Sequence, residues 1–476
     1  MEYYLRVEAV NLANFIYDTT DLSTVRGGGL LLLDAIKRIE KRFEQLHAIS
    51  TGASSGLFSF AATNLEKAQT LQKEISDFLN HEQELKHATF VIDTLPASNT
   101  FNEDKEKLLV LNRWQQIQSP TLVVAENDQQ NPEYPLCAID HVRPSANCDE
   151  KGHGKPIVSE SVFQRRNYGR EQKQKFYEQQ TGLENKFTHD LTELTDDEDD
   201  GKNQGNLNGK MAVIYLDGNS FSGLQRELDK EGLQDFDKTI KEYRREFLHD
   251  LLFEITQTND SAWFYGSKIR LETLLWGGDE LMLVVPAWQG CWTMNLFFEA
   301  SKQWEFRGKS LTHAAGLVFC HHNAPIHRIT GLAKQLGDLA KDKKDEKGNK
   351  IGRRANYVAY QVLESFDHTC LDVEKFRQDS LGSSGLKADE LIIRGDQMGQ
   401  LGKRMVKVKT VLAKGRVYKI IDAILRNKPT EELIENAISK ADLPDSPRLK
   451  KATFWLHIIE LWDYIKKTTP PATEEN

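Results

Sequence analysis

The chain has 476 residues, 39% of them hydrophobic and 28% charged, and a formal net charge of −9. That length suits two to four packed domains, and the acidic balance excludes nucleic-acid binding driven by bulk charge. Five scattered cysteines and the lack of any bilayer-length apolar run exclude a disulfide-stapled scaffold and a membrane-spanning chain, so the expected location is cytoplasmic.

The N-terminus "MEYYLRVEAVNLANF" lacks the charged-then-apolar layout of a signal peptide and reads as an immediate strand. Residues 1–118 alternate apolar strands with amphipathic helices. Residues 119–188 are mixed, rich in Pro, Arg and Gln, and form a small insert. Residues 189–210 turn acidic and then Gly/Asn-rich, as a flexible linker does. Residues 211–365 again alternate strand and helix. Residues 366–476 are mainly helical in periodicity and end in the frayed tail "TTPPATEEN".

The segment after the linker resolves into elements. "MAVIYLD" (211–217) is a strand ending in an acid, and a helix is predicted over 220–256. "KIRLETLLW" and "LMLVVP" are strands joined through Gly277, Gly278, Asp279 and Glu280. A helix over roughly 288–304, the strand "LTHAAGLVF" (311–319) and a helix from Ile326 to Lys341 follow. This is the βαββαβ order of a ferredoxin-like domain, in which the first strand lies beside the central hairpin. Asp217, Asp279 and Glu280 should therefore converge at one sheet edge.

Such a constellation suits the joining of nucleotides, in which a 3′-hydroxyl attacks an α-phosphorus and pyrophosphate leaves. Two metal ions roughly 3.5–4 Å apart can neutralise both oxygens, and shared carboxylates hold them. Mg²⁺ (or Mn²⁺) prefers such hard oxygen ligands. Gly277 and Gly278 permit a tight turn and close approach of a triphosphate. Gly218, Asn219, Ser220 and Phe221 stand at a strand-to-helix turn, where free N–H groups attract anions. Lys341 could reach the terminal phosphates.

"LDGNSFSG", "LLWGGDELMLVVP" and "LTHAAGLVFCHHNAPIHRITGLAKQLGDLAK" together resemble the catalytic palm of the CRISPR polymerase family, the large subunit of type III CRISPR effector complexes. They are more distantly similar to GGDEF diguanylate cyclases. The family usually shows Gly-Gly-Asp-Asp, whereas Glu280 stands fourth here; Leu281 replaces the final Phe of GGDEF enzymes. The resemblance implies conversion of ATP into cyclic oligoadenylate messengers in anti-phage defence. The Glu280 departure leaves another NTP and product open. It also implies guide or target RNA, or CRISPR effector subunits, as partners, with oligomers possible. The family's HD nuclease is expected to be absent, because the first palm strand begins at the N-terminus.

The N-terminal segment repeats the plan. "YLRVEAVNLANFI" overlays "VIYLDGNSFSGLQ", with Glu8 where Asp217 falls, and "AISTGASSGLFSFAA" overlays the second hairpin, with Ser54 and Ser55 near the acid positions. The expected fold is thus α+β: two ferredoxin-like palm domains, the first without its metal ligands, an insert between them and a helical C-terminal domain. Ser54, Ser55 and Arg26 could contact an acceptor nucleotide. Cys137, His141, Cys148 and His153 are possible Zn²⁺ ligands, although no CxxC pair frames them. Arg165, Arg166 and Arg170 read as a solvated basic face or an RNA contact. The His-Asp pairs at 189–190 and 249–250 look accidental. Two further readings are a diguanylate cyclase and a non-catalytic scaffold subunit of a CRISPR complex.

Overall fold

The computed structural model describes residues 1–52, 54–98, 100–124, 136–148, 156–196, 204–258, 260–345, 347–364, 372–440 and 450–465. Its first unit runs β1 (Glu2–Val10), α1 (Leu22–Arg42), β2 (His47–Thr51), β3 (Ser55–Ala61), α2 (Leu65–His81) and β4 (Thr89–Pro96). The strands pair antiparallel in the order β2-β3-β1-β4. This is the expected ferredoxin-like arrangement. Helix α3 (Phe101–Gln118) follows, and α4 (Glu160–Thr181) rises from the insert.

The second unit contains β5 (Lys210–Gly218), α5 (Phe221–Arg226), α6 (Lys230–Thr258), β6 (Glu272–Gly277), β7 (Glu280–Pro286), α7 (Gly290–Ser301), β8 (His313–His321), α8 (Ile326–Lys341) and β9 (Tyr357–Val362). With β10 (Ile393–Arg394), its strands order as β6-β7-β5-β8-β9-β10. Strand β5 is central, so its run Met211–Leu216 is buried on both faces. Ala212, Ile214 and Leu216 share one core with α6 and α7, while Met211, Val213 and Tyr215 share another with α8 and α1. Helices Gly395–Val411, Lys414–Leu425, Glu431–Lys440 and Ala452–Glu460 extend the first of these cores.

Three expectations are corrected. The helix predicted over 220–256 is two helices, because the Asp229 carboxylate accepts the Gly232 N–H at 2.8 Å and starts α6 afresh. The stretch at 189–196 is anchored, not free. Arg270 donates to the Glu193 and Leu194 carbonyls at 3.0 and 3.1 Å, and Leu194 is buried. Arg165 is neither solvated nor open to RNA: it is fully buried, bonded to Asp18 at 2.7 Å and to the Phe15 carbonyl. Arg166 pairs with Asp21 at 3.4 Å. Of the two His-Asp pairs, Asp190 caps a short helix by accepting the Glu193 N–H, and on α6 His249 is half-buried and Asp250 exposed.

Helices α1 and α4 cross at two glycines. A Cβ on Gly27 would lie 1.7 Å from the Arg165 carbonyl oxygen, and one on Gly169 would lie 2.2 Å from that of Ser23. Backbone meets backbone, so neither side can yield. Gly27→Ala is expected to destabilise the fold by about 3 kcal/mol or more through overpacking, read as a lower urea midpoint.

Candidate active site

The β5–β7 register sets Asp217 directly opposite Glu280, and Gly277 opposite Glu280 on the hairpin itself. Gly278 takes φ +56°, where a side chain would be strained, and it is exposed at the tip. The Asp279 carbonyl accepts the Gly218 N–H at 3.1 Å, which ties the hairpin tip to the end of β5. Three carboxylates thus share one sheet edge. The Tyr215 hydroxyl lies 3.1 Å from Asp217 Oδ2 and donates a short hydrogen bond to Glu280, bridging the pair. Lys341 closes an ion pair on Asp217, with side chains 12% and 13% exposed, and Lys334 Nζ stands 3.9 Å from Glu280 Oε1.

Electrostatics single out Asp279, which has no ion pair within the described residues. Burial, and then the charge of Asp217, pushes its carboxyl up to about 6. A carboxyl whose folded pKa exceeds its unfolded value binds its proton more tightly when folded. Ionised Asp279 therefore costs stability near pH 7.5, and that cost fades as pH falls through about 6. In chelator, Asp279→Asn should raise the urea midpoint at pH 7.5 and leave it nearly unchanged at pH 5; equal gains at both would contradict the shift. Nearby, burial and then Glu280 push Tyr17 up to about 12.

The donor set is all oxygen and anionic, and burial followed by the charge of Asp217 raises the Asp279 carboxyl, which fits a hard divalent cation. Among the described residues no three such side chains already converge as a finished metal site. Lys341 on Asp217 and Tyr215 between Asp217 and Glu280 hold the two carboxylates in place.

No protein-family model matches the sequence, and no curated protein matches it significantly. Solved structures do match in shape. A structure of Csm1 in T. onnurineus covers 98% of this chain and 69% of its own, with a TM-score of 0.55 at 12% identity. A Csm1-Csm4 cassette in complex with cA4 covers 98% and 70%, with a TM-score of 0.54 at 12% identity. A cassette in complex with one ATP has a TM-score of 0.51 at 12% identity, with the same coverage. The fold is that of Csm1.

Within this Csm1 fold the anticipated residues separate into those at the acid edge and those used by the scaffold. Phe221 is core, 2% exposed against Phe236 and His313. Gly218 is needed for that packing, since a Cβ there would meet the Phe221 ring at 2.7 Å. Asn219 donates to Thr312 Oγ1 at 3.0 Å and to the Ala355 carbonyl at 3.2 Å, which fastens the loop. Ser220, at φ +61°, remains exposed beside them. The six-residue α5 is too short to provide the anion-binding helix end expected there.

Arg26 is buried against Glu272 at 2.6 and 2.7 Å, so its expected nucleotide contact is corrected. In the first unit Glu8 pairs with Ser55, as Asp217 does with Glu280, and the Ser54 carbonyl accepts the Ala9 N–H. The repeat thus aligns residue for residue at the site. Glu8 is neutralised by Arg6 and Arg113, each at 2.9 Å. Of the possible zinc ligands, Cys137 is buried and its sulfur accepts N–H groups from Ile139 and Asp140, while His141 is exposed. The Cys148 side chain and His153 lie outside the described residues.

Tyr215 and Lys334 were missed in the sequence. Tyr215 is two residues before Asp217, hence on the same strand face, and Lys334 is seven before Lys341, hence on the same helix face. Those spacings were the available signal. Among the described residues no helix is long and apolar enough to cross a membrane.

Proposed function

We propose that the chain is a nucleotidyltransferase of the CRISPR polymerase family that joins NTPs, with ATP the first candidate, into a cyclic oligonucleotide messenger. The observation that carries this reading is the facing pair Asp217 and Glu280 with Asp279 at the adjoining tip, with Lys341 on Asp217 and Lys334 near Glu280. The similar structures support the nucleotide class: those Csm1-Csm4 cassettes are in complex with cA4, with cA3 or with one ATP.

Asp217, Asp279 and Glu280 would hold Mg²⁺ or Mn²⁺, which would supply charge neutralisation at the attacking and leaving oxygens. The chain's own groups do the rest. Lys341, released from Asp217, would counter a triphosphate. Tyr215 orients Glu280 through its hydroxyl. Gly278 and exposed Ser220 leave the backbone open to close approach of a nucleotide.

The test is incubation of the purified protein with Mg²⁺ and each NTP in turn, with products identified by mass spectrometry. Cyclic adenylates are the expected products. Cyclic di-GMP would replace this reading by a diguanylate cyclase, and the absence of product even with RNA and effector subunits would leave a scaffold subunit. An effector subunit and RNA are the proposed partners, and zinc at Cys137, His141, Cys148 and His153 is the proposal for the insert.

A further inference from the structure

Arg244 on α6 is 5% exposed, and its Nε and Nη1 are buried without a hydrogen-bond partner. A guanidinium carries five N–H donors, and leaving them dry is costly. What compensates it is partial: its Cζ lies 5.5 Å from the centre of the Trp276 ring. Two carboxylates act on it electrostatically, Asp237 and Asp279. Asp237 is already engaged by Lys241 at 2.5 Å, Ser50 Oγ at 3.2 Å and the Thr51 N–H at 3.3 Å. Asp279 belongs to the acid edge described above. The fold therefore keeps a buried cation next to the candidate site and leaves its donors unused.

The surroundings show what could use them. Trp276 immediately precedes Gly277 and Gly278, so Arg244 stands under the root of the second hairpin. Along α6, Asp237 and Lys241 grip β2 of the first palm, about two turns and one turn before Arg244 respectively. The two hairpin tips meet there: a Cβ on Gly52 would lie 3.8 Å from the Gly278 amide nitrogen. Trp276 belongs to the core on the α6 face of the sheet, whereas Lys341 and Tyr215 stand on the α8 face. The second hairpin thus has Lys341 and Lys334, both paired to carboxylates, on its α8 side and the unpaired Arg244 under Trp276 on its α6 side.

We infer that Arg244 is a phosphate-binding residue, which donates its unused N–H groups to a phosphate oxygen of a nucleotide bound where the two hairpin tips meet. A phosphate presents anionic acceptors to a forked donor, which neutral water or a backbone carbonyl matches less well. This inference rests on the nucleotide reading of the acid edge, but its test does not depend on turnover.

The probe is ATP with a methylene bridge between its α and β phosphorus atoms, which cannot lose pyrophosphate. Its binding to the full chain is measured by calorimetry with Mg²⁺ for the wild type, Arg244→Met and Arg244→Lys, together with the thermal midpoint of each nucleotide-free protein. Arg244→Met is expected to bind at least about tenfold more weakly, while its nucleotide-free midpoint is unchanged or higher, because an unpaired buried charge has been removed. Arg244→Lys should fall between the two. Unchanged affinity, or a midpoint lowered in Arg244→Met, would overturn the inference and leave Arg244 as a prop for Trp276. A wild type that binds the probe but makes no product would remove the synthase reading and leave this one standing. A wild type that binds no nucleotide removes both.

Discussion

Asp279→Ala is expected to lower nucleotide joining by roughly 10³-fold, about 4 kcal/mol of transition-state stabilisation, while the folded protein loses no stability. The two halves of this expectation have one cause. Asp279 has no ion pair among the described residues, and burial beside Asp217 and Glu280 makes its ionised form unfavourable. Removing it relieves repulsion in the metal-free protein but takes away one of three oxygen donors. Asp217→Ala should behave differently, since it strands Lys341, its ion-pair partner, at 12% exposure. Turnover by Asp279→Ala near the wild-type rate, measured from product formed with ATP and Mg²⁺, would remove Asp279 from the site.

The second large effect concerns the joint between the palms. Glu272 opens β6 and accepts from Arg26 of α1 at 2.6 and 2.7 Å and from Lys173 of α4 at 2.8 Å. All three are buried, and Arg26 also donates to the Gly169 and His189 carbonyls. Burial opposes charge on Glu272, but the two cations outweigh it and hold its carboxyl below the usual range. Lys173, by contrast, is brought down to about 8, chiefly by burial. Glu272→Ala leaves two cations facing each other in a dry interior. A loss of about 3–5 kcal/mol is expected, measured by urea unfolding. Replacing the whole triad by Arg26→Met, Lys173→Met and Glu272→Leu should recover most of it, because well-packed apolar groups need no counter-charge. If the triple variant were as unstable as Glu272→Ala, geometry and not charge would govern the joint.

The triad also explains why some of the molecule was legible in advance and some was not. Strand β5 could be read because six consecutive apolar residues ending in an acid suit few elements other than a central strand. The hairpin could be read because Gly277 and Gly278 separate two apolar runs at turn spacing. Once the βαββαβ order was in hand, the meeting of Asp217 with Glu280 followed from topology. Arg26 offered no such pattern. Its partner lies 246 residues away, and a lone arginine on an amphipathic helix looks the same whether it meets solvent, a phosphate or a buried glutamate. The cluster at Arg165 was misread for that reason. Phe221 was misassigned because a loop position next to a candidate ligand says nothing about which way its ring turns.

What the sequence determined by itself was the local grammar: two copies of a strand–helix alternation, a turn that only glycine makes cheaply, and three acids placed where strands end. These are set by backbone sterics and by the period of apolar residues, which act over a few neighbours. The tertiary structure alone decided which charges are buried together, how α4 locks onto α1 through Gly27 and Gly169, and that Arg244 is buried against Trp276 with unused donors. Those outcomes depend on which helix faces meet across hundreds of residues. Desolvation makes such contacts strong, but it is a property of the packed whole and leaves no mark on the neighbouring letters of the chain.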